Sequence, residues 1–99
     1  MAKNQYKLIS DVWQYPGMIG WHFVSVSKKE SKEIKNKFGG VARGWGSLPV
    51  TVTVGTTTWK TSIFPEKQSD TYLLPIKAQV RKKEGIFARD TVSFSIEIL

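Results

Sequence analysis

Strict alternation of apolar and polar residues marks the two clearest strands in this chain. Residues 50–54 read VTVTV, and residues 91–99 place an apolar side chain at every even position. A period of two with β-branched residues is typical of a strand that buries one face. The positions expected in the core are Val50, Val52, Val54, Val92, Phe94, Ile96 and Ile98.

Four further segments have a weaker strand pattern, and short turn signals separate them. The Pro16-Gly17 pair and the Gly55-Thr56 pair each supply turn residues, and Pro65 is predicted to end a strand. The predicted strands are residues 6–15, 21–26, 57–64 and 71–74, and residues 57–64 form a hairpin with residues 50–54.

Two segments change to a helical period. Ser27 and Glu30 have the spacing of a capping box, which begins a helix predicted over Ser27–Phe38. Pro75 begins a second helix, predicted over Pro75–Lys83, and Gly85 ends it. Six strands and two short helices therefore predict a mainly β domain, and six twisted strands of this length close most readily into a small barrel. The domain is predicted to span residues 6–99, after a disordered or extended segment at 1–5.

Composition limits the classes of protein that fit. The chain has 99 residues and no cysteine, so neither a disulfide framework nor a thiolate metal site is expected. The first residues lack the apolar core of a signal peptide, and no apolar run approaches the length of a membrane span. We expect a cytoplasmic protein with no membrane partner, no metal and no cofactor.

A net charge of +7 favours acidic partners. Lys28, Lys32 and Lys35 form a basic stripe on the first predicted helix, and Arg81 lies on the second. These side chains suit contacts with phosphates, which gives a nucleic-acid-binding module as one hypothesis. The alternative is that they are solvated helix faces that keep the protein soluble.

Several segments together resemble a known family. They are residues 13–17 (WQYPG), 20–24 (GWHFV), 43–50 (RGWGSLPV), 58–65 (TWKTSIFP), 72–77 (YLLPIK), 80–81 (VR) and 90–92 (DTV). Their order and spacing resemble the prokaryotic domain-of-unknown-function family nineteen-zero-five, from about Tyr6 to Leu99. The resemblance implies a closed six-stranded Greek-key barrel and no established enzyme activity. One departure is Arg89, which stands before Asp90 where the family usually has glycine, so a different turn is expected there.

His22 is the only histidine and the first candidate for chemistry. A small hydrolase or isomerase would need it beside an orienting acid and a nucleophile such as Ser47 or Ser62, and no nucleophile motif is present. The alternative is a packed histidine with one hydrogen bond.

Trp45 lies between two glycines, and two roles are open for its ring. It either stacks on a ligand or plugs a barrel end, and the plug is favoured.

The leading hypothesis is a non-enzymatic barrel that binds a ligand or partner. Its site is expected where the Arg43–Ser47 loop meets the Trp59–Ser62 strand and the start of the second helix. The residues assigned to it are His22, Arg43, Trp45, Trp59, Lys60 and Lys77. The expected partner is an anionic small molecule, or nucleic acid bound weakly and without sequence preference.

Overall fold

The computed structural model describes residues 4–17 and 20–99, so Met1–Lys3 of the predicted terminal segment and residues 18–19 lie outside it. The strands are β1 (Gln5–Asp11), β2 (Trp13–Gln14), β3 (His22–Ser25), β4 (Leu48–Val54), β5 (Thr57–Glu66), β6 (Thr71–Pro75) and β7 (Thr91–Ile98). The helices are α1 (Lys28–Phe38) and α2 (Ala78–Glu84), and single 3-10 turns lie at Gly39–Val41 and Gly44–Gly46.

The strands form one antiparallel sheet in the order β1-β7-β4-β5-β6-β3-β2, curled into a half-barrel. The prediction of a mainly β domain with two short helices is confirmed. The prediction of six strands closed into a Greek-key barrel is wrong: there are seven strands, and within the described residues the order has two ends, β1 and β2.

The extra strand arises because the segment predicted as one strand, residues 6–15, is interrupted at Val12. The backbone N–H of Val12 donates to the Asp90 carbonyl at 2.8 Å, and its carbonyl accepts from the Arg89 N–H at 2.7 Å. These bonds extend the β1–β7 pairing past Asp11 and Thr91, with both Arg89 and Asp90 opposite Val12 as in a β-bulge. As a result β1 pairs with β7, and β2 pairs with β3.

Alternation predicts the core correctly on β4 and β7. All seven predicted positions are buried: Val50, Val52, Val54, Val92, Phe94, Ile96 and Ile98. Helix α1 begins as predicted, since Ser27 Oγ accepts from the Glu30 N–H at 3.2 Å, and it buries Ile34 completely. Helix α2 buries Val80, so both helices cover the inner face of the sheet.

Two prolines behave differently from the prediction. Pro75 does not begin α2 but ends β6, where it pairs with Phe23, and α2 begins at Ala78. Pro65 does not end β5, which continues to Glu66. Proline cannot donate to a ladder, and it is tolerated where a strand finishes and its missing N–H breaks little pairing. Both prolines lie within one residue of such an end.

Tyr6 connects the edge strand β1 to α1. Burial, followed by the nearby charge of Glu33 on α1 and then that of Glu30, raises the pKa of Tyr6 to about 12. Burial also raises the pKa of Tyr72 on β6. Both phenols therefore stay neutral near neutral pH and act as packed groups.

The turn before β7 keeps a glycine-like backbone although it lacks the glycine. Arg89 has φ 76°, in the left-handed region that glycine adopts without strain. Asp90 closes the turn by accepting the Phe87 N–H at 2.8 Å. Arg89 therefore takes up the strained conformation itself, and a turn different from that of the family stays a prediction.

Replacing Arg89 by glycine is expected to stabilise the protein by about 1 kcal/mol, because an L side chain in this region costs that much. Urea denaturation followed by tryptophan fluorescence measures the change. Arg89→Ala is the matched control, since it removes the charge and keeps the backbone strain. An equal gain in both variants would contradict the explanation, because the side chain and not the backbone would then be responsible.

Candidate functional site

A pocket opens where β5 separates from β6. The two strands pair only from Phe64 to Glu66 on β5, and β6 then pairs with β3 on its other side. The gap between the first half of β5 and the start of α2 is a pocket of about 530 Å³. We refer to it as the Trp59 pocket, and it is lined by Gly20, Trp21, His22, Trp59, Lys60, Thr61, Phe64, Pro75, Ile76 and Lys77.

The walls of the Trp59 pocket are aromatic and its charge is positive. Trp59 is partly buried and packs against the core, whereas Trp21 is 52% exposed and Phe64 is exposed at the rim. Lys60 and Lys77 are both exposed and line the same pocket. None of the described lining residues is acidic. The arrangement can accept a ligand with a flat apolar body and a negative charge.

Arg81 holds the rim of the pocket in place. Its Nη2 donates to the Gly20 carbonyl at 3.0 Å, and its Nε donates to the Ile76 carbonyl at 3.1 Å. Both acceptors belong to residues that line the Trp59 pocket. The sequence predicts phosphate contacts for Arg81, but in the structure its guanidinium binds two backbone carbonyls. It positions the loop that carries Trp21.

His22 lies in the pocket lining as predicted for the ligand site. Its Nδ1 is 3.2 Å from the Gly20 carbonyl, so a neutral ring carries its proton on Nδ1. Neither Ser47 nor Ser62 lines the pocket, and the Ser47 hydroxyl donates to the Gly44 carbonyl at 3.0 Å. The structure thus places His22 beside a carbonyl and does not place either proposed nucleophile in the pocket lining.

Trp21 belongs to a group of four aromatic rings on and next to β2 and β3, and it stacks on Phe23. Phe23 is central: its ring centroid lies 5.2 Å from Trp13, 5.9 Å from Tyr15 and 6.0 Å from Trp21. Trp13 Nε1 also donates to Ser25 Oγ at 3.1 Å. The stacking on Phe23 supports Trp21, which also lines the pocket.

Trp45 is 94% exposed, so the prediction that it plugs a barrel end is wrong. It lies in the turn Arg43–Ser47, which we call the Trp45 turn, and has φ 65°. The turn is closed by the Arg43 N–H to the Ser47 carbonyl at 2.9 Å and the Gly46 N–H to the Arg43 carbonyl at 2.9 Å. The ring of Trp45 therefore lies in solvent and does not pack against the core.

The Trp45 turn does not line the Trp59 pocket, but it contacts the same strand. A Cβ at Gly46 would lie 3.0 Å from Pro65 Cγ, so the turn rests on β5 one residue beyond Phe64. Of the six residues assigned to the ligand site, the structure brings His22, Trp59, Lys60 and Lys77 into the pocket lining. Arg43 and Trp45 lie outside it, in the neighbouring turn.

The basic stripe on α1 lies on a different surface. Lys28, Lys32 and Lys35 are exposed, and Lys32 and Lys35 line a groove of about 380 Å³ between α1 and the β5–β6 hairpin. Glu66 and Asp70 line the same groove, so its charge is mixed. It lacks the uniform positive charge of the Trp59 pocket.

Two further results concern metals and membranes. Within residues 4–17 and 20–99, no group of three or more histidine, cysteine or carboxylate side chains is arranged to hold a metal ion. No helix in this part of the chain is long and apolar enough to cross a membrane.

The curled sheet, the two short helices and the apolar cationic pocket define a small β-rich domain with a cavity of ligand size. The chain belongs to the family described as Domain of unknown function (DUF1905), whose model matches residues 9–96. This confirms the family indicated by the sequence segments. Comparison with curated proteins gives no match.

Proposed function

We propose that this protein is a non-enzymatic binding module that takes an anionic ligand with a flat apolar body in the Trp59 pocket. The observation that carries the proposal is the pairing of Lys60 and Lys77 with aromatic walls, and no acidic residue among the described lining residues. The volume, about 530 Å³, falls within the range of small-molecule sites, roughly 300–1,000 Å³.

Each part of the pocket supplies a different share of the binding free energy. Trp59 and Phe64 offer apolar area, and burying a ligand ring against them removes that area from water. Lys60 and Lys77 supply charge and donors for a carboxylate, sulfonate or phosphate group. A neutral ligand would gain only the free energy of apolar burial, so the pocket favours anions.

The rim is arranged before a ligand arrives, which supports a binding role. Arg81 and His22 both contact the Gly20 carbonyl, and Arg81 also contacts Ile76. A site fixed in this way loses little conformational freedom on binding. His22 serves in this arrangement as a positioning residue.

The lack of cysteine supports a cytoplasmic location.

Titration with 2-naphthalenesulfonate, followed by tryptophan fluorescence, tests the proposal. We expect Lys60→Ala and Lys77→Ala each to raise the Kd between about threefold and tenfold, as expected for one charge-assisted contact that is partly screened by solvent. Lys82→Ala is the matched control, because Lys82 lies on α2 and does not line the pocket. The neutral analogue 2-naphthol should bind more weakly to the unmodified protein.

Two results would overturn the proposal. One is equal binding of 2-naphthol and 2-naphthalenesulfonate, which would remove the role of the charge. The other is a loss of affinity in Lys82→Ala as large as that in Lys60→Ala, which would show general attraction to a basic protein and no defined site.

A further inference from the structure

One exposed aromatic side chain, Trp45, lies beyond the Trp59 pocket, in a turn that contacts β5. Trp21 and Phe64 stand at the rim, Pro65 follows Phe64, and the Trp45 turn rests on Pro65. From Lys60 to Pro65 an extended strand covers roughly 17 Å, at about 3.4 Å per residue. Phe64 and Pro65 lie on opposite faces of β5, and Pro65 also lines the groove beside α1. A ligand that reaches both the pocket and Trp45 must therefore extend past Pro65 and be longer than one small molecule.

The exposed ring of Trp45 does not contribute to the packing of the fold. The side chain is 94% exposed, and its backbone occupies the left-handed region, which is unfavourable for an aromatic residue. Two backbone hydrogen bonds and the Ser47 hydroxyl hold the turn, and Gly46 seats it against Pro65. Strained backbone that presents a side chain to solvent is characteristic of sites that contact a ligand.

Cations accompany these rings. Lys60 and Lys77 lie in the pocket, and Arg43 is exposed in the same turn as Trp45. Aromatic side chains beside a positively charged groove bind single-stranded nucleic acid without sequence preference. Every base has a flat face that can stack on a ring, and every nucleotide carries a phosphate. The net charge of +7 supports the same class of partner.

We infer that the ligand of this surface is single-stranded nucleic acid, with one nucleotide in the Trp59 pocket and a following base stacked on Trp45. This inference rests on the proposed function, since the nucleotide is the flat anion that the pocket takes. A duplex does not fit, because its bases are stacked inside the helix and cannot reach the rings. The basic stripe on α1 is not the contact surface, because its groove contains Glu66 and Asp70.

The test compares three probes at a fixed low salt concentration: thymidine monophosphate, a single-stranded oligothymidylate of eight nucleotides, and a duplex of eight base pairs. We expect the octamer to bind more tightly than the mononucleotide and the duplex. Trp45→Ala should weaken octamer binding about tenfold, the effect of one lost stacking contact. It should leave mononucleotide binding unchanged. Trp45→Phe, which keeps a ring, should retain octamer binding.

Two control variants address the alternatives. Phe87→Ala removes another exposed aromatic residue, 72% exposed and outside the pocket lining, and should leave octamer affinity unchanged. The double variant Lys32→Ala/Lys35→Ala should lower octamer affinity less than Lys60→Ala/Lys77→Ala. Thermal melting of Trp45→Ala checks that it stays folded, which we expect because the side chain makes no core contact.

The outcomes separate this inference from the proposed function. If the octamer binds no better than the mononucleotide, or if Trp45→Ala has no effect on it, the inference is wrong while the anion pocket stands. If the duplex binds as tightly as the single strand, stacking is not the basis of binding and the inference is again wrong. If neither thymidine monophosphate nor 2-naphthalenesulfonate binds, both proposals are wrong.

Discussion

Replacement of Ser31 by alanine is expected to lower the free energy of unfolding by about 2–4 kcal/mol, although it removes a single oxygen atom. Ser31 is 3% exposed. Its hydroxyl donates to the Val26 carbonyl at 3.1 Å and accepts the Tyr72 N–H at 3.0 Å. The variant leaves both backbone groups buried without this partner, and each such loss costs about 1–3 kcal/mol. The contact also attaches α1 to β6.

Ser27→Ala is the matched control for this prediction. Ser27 is an exposed residue on the same helix, and its hydroxyl accepts one N–H, that of Glu30. Loss of this cap is expected to cost about 1 kcal/mol. Chemical denaturation of both variants measures the difference. A loss in Ser31→Ala no greater than that in Ser27→Ala would show that water replaces the buried hydroxyl and would contradict the prediction.

Gly55→Ala is expected to destabilise the protein by about 2–3 kcal/mol. Gly55 has φ +56° in the β4–β5 turn, and a Cβ there would overlap with Glu84 Oε1. Glu84 accepts hydrogen bonds from the hydroxyls of Thr56 and Thr57, so its carboxylate cannot move without losing them. The variant therefore adds the loss of these bonds, about 1 kcal/mol each, to the cost of a left-handed alanine.

Gly85→Ala isolates the backbone part of this effect. Gly85 ends α2 with φ +66°, and nothing lies within 4 Å of a Cβ placed there. Its loss of stability should be about 1 kcal/mol, the cost of the left-handed conformation alone. Thermal denaturation of both variants gives the comparison. Equal losses would mean that Glu84 moves aside freely, and the proposed contact between α2 and the hairpin would be wrong.

The sequence predicts the fold well where burial alone determines the structure. On β4 and β7 one face enters the core, so alternation identifies Val50 and Phe94 as buried. It fails at Val12, because the break between β1 and β2 there depends on hydrogen bonds to Asp90 and to Arg89, which are distant in sequence. Pro75 is misassigned for the same kind of reason, since its partner Phe23 lies on another strand.

The candidate site is predicted in part. Four of the six residues that the sequence predicts for the ligand site line the Trp59 pocket: His22, Trp59, Lys60 and Lys77. Exposure is harder to predict, since nothing local distinguishes the exposed ring of Trp45 from a buried one.

Trp21 and Phe64 are missed for different reasons. Phe64 follows buried Ile63 on β5, so period-two alternation is the signal that places it on the outer side. For Trp21 the sequence predicts only a strand over residues 21–26, because its position at the pocket depends on Arg81 binding the Gly20 carbonyl.

The most direct test of the anion pocket is chemical-shift mapping of the protein in solution as 2-naphthalenesulfonate is added. The predicted result is that the indole N–H signals of Trp21 and Trp59 and the amide signals of Lys60 and Lys77 shift together and saturate. Signals from the exposed face of α1, at Lys28, Lys32 and Lys35, should stay in place. Saturable shifts on that face of α1, with the pocket signals unchanged, would contradict the assignment of the site.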